Sequence, residues 1–259
     1  MDVIIFCGQS NMQGQTECLS ENQVVQNAFE YKWISDQLVP LKNPVGEDIT
    51  VDLTQGCNFD GIAISPPDWR RAHLTGSACY GYTNLVPAFC RKYLSKFDTQ
   101  VTAVHVAKGS TTISNWLSDQ KAYQLLVKKS CDAINKVKPA NVYFVWLQGE
   151  SDAIESTSKN QYKQHLTTLC NALKKDVGIN KFGIIRVGRF TNDQRDLEII
   201  TAQDEICKEN KDFVMLTDIA TDLNQQSEYM NPLAKGHFNA KGLELLGESA
   251  AQGLINQIT

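Results

Sequence analysis

No apolar run among the 259 residues approaches the roughly 20 that a membrane-spanning helix needs. Charge of one sign is also missing: 29 acidic residues face 25 basic ones, for a formal charge of −4. That leaves no basic footprint for nucleic acid and no polybasic patch for a membrane surface, so the expected partner is a small or neutral molecule. The eight cysteines form no Cys-x-x-Cys pair and have no short-spaced histidine, which argues against a zinc site. They read as mostly reduced thiols, with a few bridges as the alternative in an exported protein. No Asn-x-Ser/Thr acceptor occurs, and no basic stretch with a cleavage site opens the chain. The expectation is therefore a cytoplasmic protein, or an exported form with its signal peptide missing. Histidine is scarce, and His73, His105, His165 and His237 are the whole supply of imidazole.

Five short apolar runs are present: Val3 to Cys7, Val101 to Val106, Val142 to Leu147, Phe182 to Val187 and Phe213 to Leu216. Their near-continuous Val, Ile and Phe content fits strands buried on both faces, as in a parallel sheet. Helical stripes follow them, in Leu85/Val86/Phe89/Tyr93, Tyr123/Leu126/Val127/Cys131/Ile134, Tyr162/Leu166/Leu169/Leu173 and Leu243/Leu246/Ala250/Leu254. This alternation predicts a single α/β domain over 1–259, doubly wound, with about five parallel strands flanked by helices. Residues 15–84, rich in Pro and Gly and lacking periodicity, read as an irregular excursion that walls a cleft.

Three segments carry chemistry. Gly8-Gln9-Ser10-Asn11-Met12 follows the first strand, where a hydroxyl at the strand's carboxyl end can serve as nucleophile or, more plainly, as a helix cap. Met12 stands where a lipase elbow has its second glycine, so the strict Gly-x-Ser-x-Gly pattern is not met. Trp146-Leu147-Gln148-Gly149-Glu150-Ser151-Asp152 closes the third run, and Gly236-His237-Phe238-Asn239 precedes the last helix. Of the four histidines, His105 lies in a buried-strand pattern, His165 on the surface of a helix, and His73 in the excursion, leaving His73 and His237 as candidate bases. Gly109, in Ala107-Lys108-Gly109-Ser110-Thr111, reads by itself as a turn glycine, and Lys108 as a solvated loop charge.

In this order and spacing these segments resemble the SGNH hydrolases, and among them the carbohydrate acetylesterases that include sialate O-acetylesterases. The resemblance implies a flavodoxin-like fold and a two-step serine mechanism with no metal or organic cofactor. It implies Ser10 as nucleophile and His237 as base. The oxyanion donors would be the N–H groups of Ser10 and Gly109 and the side chain of Gln148, and Gln9, Asn11 and Trp116 would meet the substrate. One position departs from the family: the aspartate expected three residues before the histidine is Ala234. A carboxylate or a backbone carbonyl is expected to replace it, with Glu150 the first candidate and Asp222 and Glu228 behind it. Activity is then expected to rise with pH through roughly 6 to 7. The substrate would be a small or oligosaccharide acetyl ester, on sialic acid or a plant polysaccharide. Two other readings stay open, an inactive carbohydrate-binding protein on the same scaffold and a lipid or thioester hydrolase of the wider SGNH group.

Overall fold

The computed structural model describes residues 1–16, 23–33, 35–46 and 83–259. His73, Cys18, Cys57, Cys79 and most of the expected excursion lie outside these residues. Seven strands form one sheet: β1 (Asp2–Gly8), β2 (Ala28–Lys32), β3 (Gln37–Pro40), β4 (Val101–Ala107), β5 (Asn141–Leu147), β6 (Lys181–Ile185) and β7 (Phe213–Thr217), in the order β3-β2-β4-β1-β5-β6-β7. The five expected strands are its centre, β4-β1-β5-β6-β7, parallel throughout and in the flavodoxin-like order. The other two extend one edge. β2 runs parallel to β4, and β3 turns back antiparallel on β2, inside the stretch read from sequence as irregular. Strands of five and four residues around a left-handed Asn27 and Asp36 are too short to show an alternation.

Val3 to Cys7 have no exposed surface, and each such side chain contributes about 1.5–3 kcal/mol by leaving water. Helices cover both faces. Phe6 meets Phe89 of α2 (Val86–Leu94) edge-on, at 5.2 Å between ring centroids. Phe6 stands level with Val145, and the next residue, Trp146, points to the opposite face. There its indole N–H donates to the Tyr162 hydroxyl of α5 (Lys159–Asp176) at 3.3 Å. The remaining long helices are α3 (Lys121–Val137), α6 (Gln194–Glu209) and α8 (Ala240–Ile258), with α1 (Ser10–Gln13), α4 (Glu150–Ile154) and α7 (Ala220–Leu223) each a turn or little more. Among the described residues no helix is long and apolar enough to cross a membrane. Cys7, Cys90, Cys131, Cys170 and Cys207 are free thiols.

Register is what places the site. β1 pairs with β4 and β5 so that Gly8 stands level with both Ala107 and Leu147. Ser10, Gly109 and Gln148 therefore leave three neighbouring strands at one height, beside the point where the chain's winding reverses.

Candidate active site

Ser10 opens α1 directly beyond β1, and Gly8 makes that turn possible. Gly8 has φ 157°, and a Cβ there would stand 2.0 Å from the Leu147 carbonyl oxygen, a backbone atom that cannot step aside. Ser10 Oγ lies 2.9 Å from Nε2 of His237, although 227 residues separate the two. The N–H of Ser10, in the first turn of a helix, has no acceptor within that helix. Gly109 is close by: a Cβ built on it would stand 3.5 Å from Ser10 Cβ.

His237 is held by a knot of backbone bonds just ahead of α8. Asn231 N–H donates to the His237 carbonyl, His237 N–H to the Ala234 carbonyl, and the Asn239 side chain caps α8 by accepting from Gly242 N–H. Gly236, at φ 80°, lets the Phe190 ring approach to where a Cβ would be 2.3 Å from it, so that Phe190 packs edge-on against the imidazole. The second ring nitrogen, Nδ1, is 3.2 Å from the carbonyl oxygen of Lys235. A backbone oxygen thus stands in the place of the missing aspartate and favours the tautomer with a proton on Nδ1. Burial pushes the His237 pKa below its ordinary value, and the bonds to the Lys235 and Ala234 backbone pull it back only in part.

Several expected roles are corrected by these contacts. Glu150 makes no hydrogen bond to His237: it is buried, its Oε1 accepts from Asn11 Nδ2 at 2.8 Å, and its Oε2 is unpartnered. Burial holds this carboxyl above the usual carboxylate range. Glu150 reaches the histidine only indirectly, since Asn11 Oδ1 in turn accepts from Phe238 N–H at 3.2 Å. Glu228 is paired with Lys241, and Asp222 has no bond to the imidazole. Asn11 is thereby a clamp between two loops rather than a substrate contact. Gln9 is 3% exposed, and its Oε1 accepts from Ser151 N–H and lies 3.2 Å from Gln148 Nε2. Trp116 has no exposed surface. It packs edge-on against Trp146 and donates to Thr111 Oγ1, so no sugar can stack on it.

Gln148 also departs from expectation. Its Nε2 has three buried acceptors for two amide protons, Asp152 Oδ2 at 2.6 Å, the Thr111 carbonyl at 2.8 Å and, more distant, Gln9 Oε1 at 3.2 Å, while its Oε1 accepts from Tyr162 OH at 3.0 Å. With no exposed surface, it braces the strand ends instead of facing an acyl oxygen. Gln148→Leu should then act on stability. It would strand several buried partners at about 1–3 kcal/mol each, and a fall in Tm of roughly 5 °C or more is expected in a thermal melt. A loss of turnover near 10²-fold at unchanged Tm would restore the donor role.

Three residues of the site had no foothold in sequence reasoning. Gln13 engages the N–H of Gly109, Phe190 packs on the histidine, and Lys235 acts through its carbonyl. Position could have found the first two, because Gln13 lies one helical turn beyond Ser10 and Phe190 lies past the end of β6. A backbone carbonyl leaves no side-chain signal. Among the described residues no group of three or more His, Cys, Asp or Glu could hold a metal ion.

Strand order and helix placement give a doubly wound α/β fold with Ser10 and His237 in contact at the carboxyl ends of its central strands. The chain belongs to the family described as carbohydrate esterase, sialic acid-specific acetylesterase, whose model matches residues 1–256. A probable carbohydrate esterase of Arabidopsis thaliana is 22% identical over 233 residues, 83% of this chain and 82% of that one. Among solved structures, an Arabidopsis thaliana protein superposes with a TM-score of 0.72 at 16% identity, over 100% of this chain and 99% of its own. NanS superposes with a TM-score of 0.68 at 14% identity, over 98% of this chain and 96% of its own. At these identities the structural likeness is one of fold.

Proposed function

We propose that this chain is a carbohydrate O-acetylesterase that hydrolyses acetyl esters on sugars by a serine mechanism. The observation that carries the reading is the 2.9 Å contact of Ser10 Oγ with an imidazole whose other nitrogen rests on the Lys235 carbonyl. In the first step Ser10 Oγ attacks the ester carbonyl carbon while its proton passes to His237 Nε2. The carbonyl oxygen takes up negative charge beside the N–H groups of Ser10 and Gly109, and collapse of the adduct expels the sugar alkoxide, which receives the proton from His237. In the second step His237 takes a proton from water as that water attacks the acetyl-serine, and collapse of this adduct breaks the bond to Ser10 Oγ, which takes the proton back from His237 as acetic acid leaves and ionises to acetate. Family membership and the likeness to a carbohydrate esterase support an acetylated sugar as substrate, and the candidates carried from the sequence are an acetylated sialic acid and an acetylated plant polysaccharide.

Acetate release from a panel of O-acetylated sialosides and acetylated xylans tests the reading and selects the sugar. A protein that binds these sugars and releases no acetate would be the inactive alternative. Preference for long acyl chains over acetyl would make it a lipid hydrolase instead.

The pH dependence has a definite sign. The neutral imidazole is the base, and burial disfavours its protonated form, so the base persists to lower pH than in a solvated histidine. A plot of kcat/KM is expected to rise with pH through a midpoint below about 6.5 and to be level by about 7. A midpoint above 7 would mean that a carboxylate supports the imidazolium after all.

A further inference from the structure

The N–H of Gly109 is already taken. It donates to Oε1 of Gln13 at 3.0 Å, and that same oxygen is 3.3 Å from Nε2 of Gln15. Gln13 is 2% exposed and ends α1, three residues beyond Ser10, so the short helix that presents the hydroxyl also presents this amide. An sp² carbonyl oxygen held by two N–H donors is placed as the acyl oxygen of an unreacted ester would be in an oxyanion hole. One N–H makes one good hydrogen bond, so the Gln13 oxygen and the substrate oxygen compete for it.

We propose that Gln13 is a built-in plug of the oxyanion hole, which the acyl oxygen must displace from Gly109 N–H as the ester reacts. The proposal rests on the reading of Ser10 as nucleophile and Gly109 as donor. Acceptor strength decides who holds the donor. An amide oxygen accepts more strongly than an ester oxygen, whereas an oxyanion, being charged, accepts about twice as strongly as a neutral group. The ground-state ester therefore leaves the plug in place, and the tetrahedral adduct expels it. Gln13 raises the selectivity of the hole for the charged species and withholds the donor from uncharged ligands, at some expense in overall rate.

Two substitutions of similar length move the rate in opposite directions. Gln13→Met removes the acceptor, and kcat/KM for p-nitrophenyl acetate, with the rate of phosphonylation by a fluorophosphonate probe, should rise roughly 2- to 10-fold, the worth of one exchanged hydrogen bond. Gln13→Glu strengthens the acceptor and places a charge where the oxyanion must form, so both rates should fall by roughly 10²-fold or more. Amide exchange at Gly109, followed by NMR, should quicken in Gln13→Met relative to the unsubstituted protein.

A fall in both variants would make Gln13 a structural brace, and a fall of roughly 10²-fold in Gln13→Met alone would make its amide an oxyanion donor; either overturns the plug. Unchanged exchange at Gly109 overturns it independently of any rate. Failure of the broader reading looks different: the probe would not label Ser10 at all, and the bond from Gly109 to Gln13 would then be structural, ending the plug along with the mechanism.

Discussion

Ser10→Ala is expected to lower ester turnover by roughly 10³- to 10⁶-fold while leaving the fold intact. The size follows from the chemistry. With no Oγ there is no acyl-enzyme, His237 has no hydroxyl to deprotonate, and what remains is attack by water on an ester held near the donors of Ser10 and Gly109. The fold should survive because the hydroxyl's bond is to the half-buried His237 imidazole, and the lost oxygen is small. The backbone of α1, including the bonds from Gly14 and Gln15 N–H to the Ser10 carbonyl, does not depend on it. Initial rates on p-nitrophenyl acetate, with circular dichroism as the control for folding, give the result. A variant with unimpaired turnover removes Ser10 as nucleophile, and so does a fluorophosphonate label found only on another serine.

Much of this architecture is legible in the sequence because buried parallel strands must be apolar nearly throughout. The five central strands, and the hydroxyl at the end of the first, follow from that requirement and from the rule placing sites at strand carboxyl ends. β2 and β3 are not legible for the opposite reason. They are short, lie at an edge, and mix Glu30 and Lys32 with apolar residues in a buried ion pair that no periodicity announces. Within the site, the resemblance identifies which residues gather at the strand ends but not which atoms face the reaction. Gln148, Trp116 and Asn11 are all at those ends, and each is turned inward to satisfy a buried partner. A polar side chain with no exposed surface must spend its hydrogen bonds on its neighbours, and sequence does not report those neighbours.

Replacing His237 with alanine is expected to cost nearly as much as losing Ser10, and the Ser10→Ala/His237→Ala double variant should lose little more than either single one. Groups that act in one concerted proton transfer are not additive, since removing the base strands the nucleophile and removing the nucleophile idles the base. Kinetics of the three variants on one substrate decide this, and additive losses would place the two residues in separate steps. The support of the histidine sharpens the expectation. Its Nδ1 partner is the carbonyl of Lys235, a neutral oxygen that fixes the tautomer but stabilises the imidazolium less than a carboxylate would. No side-chain substitution removes that carbonyl, so Lys235→Ala should change the rate by no more than about 3-fold. Glu150→Gln keeps an acceptor for Asn11 and with it the bond to Phe238 N–H, so it should cost roughly 10-fold or less, far below the loss of about 10⁴-fold from neutralising a true third member. A loss at Glu150→Gln as large as that at His237→Ala would show that the carboxyl orients the imidazole during turnover, whereas full activity in His237→Ala would leave the base to be sought elsewhere.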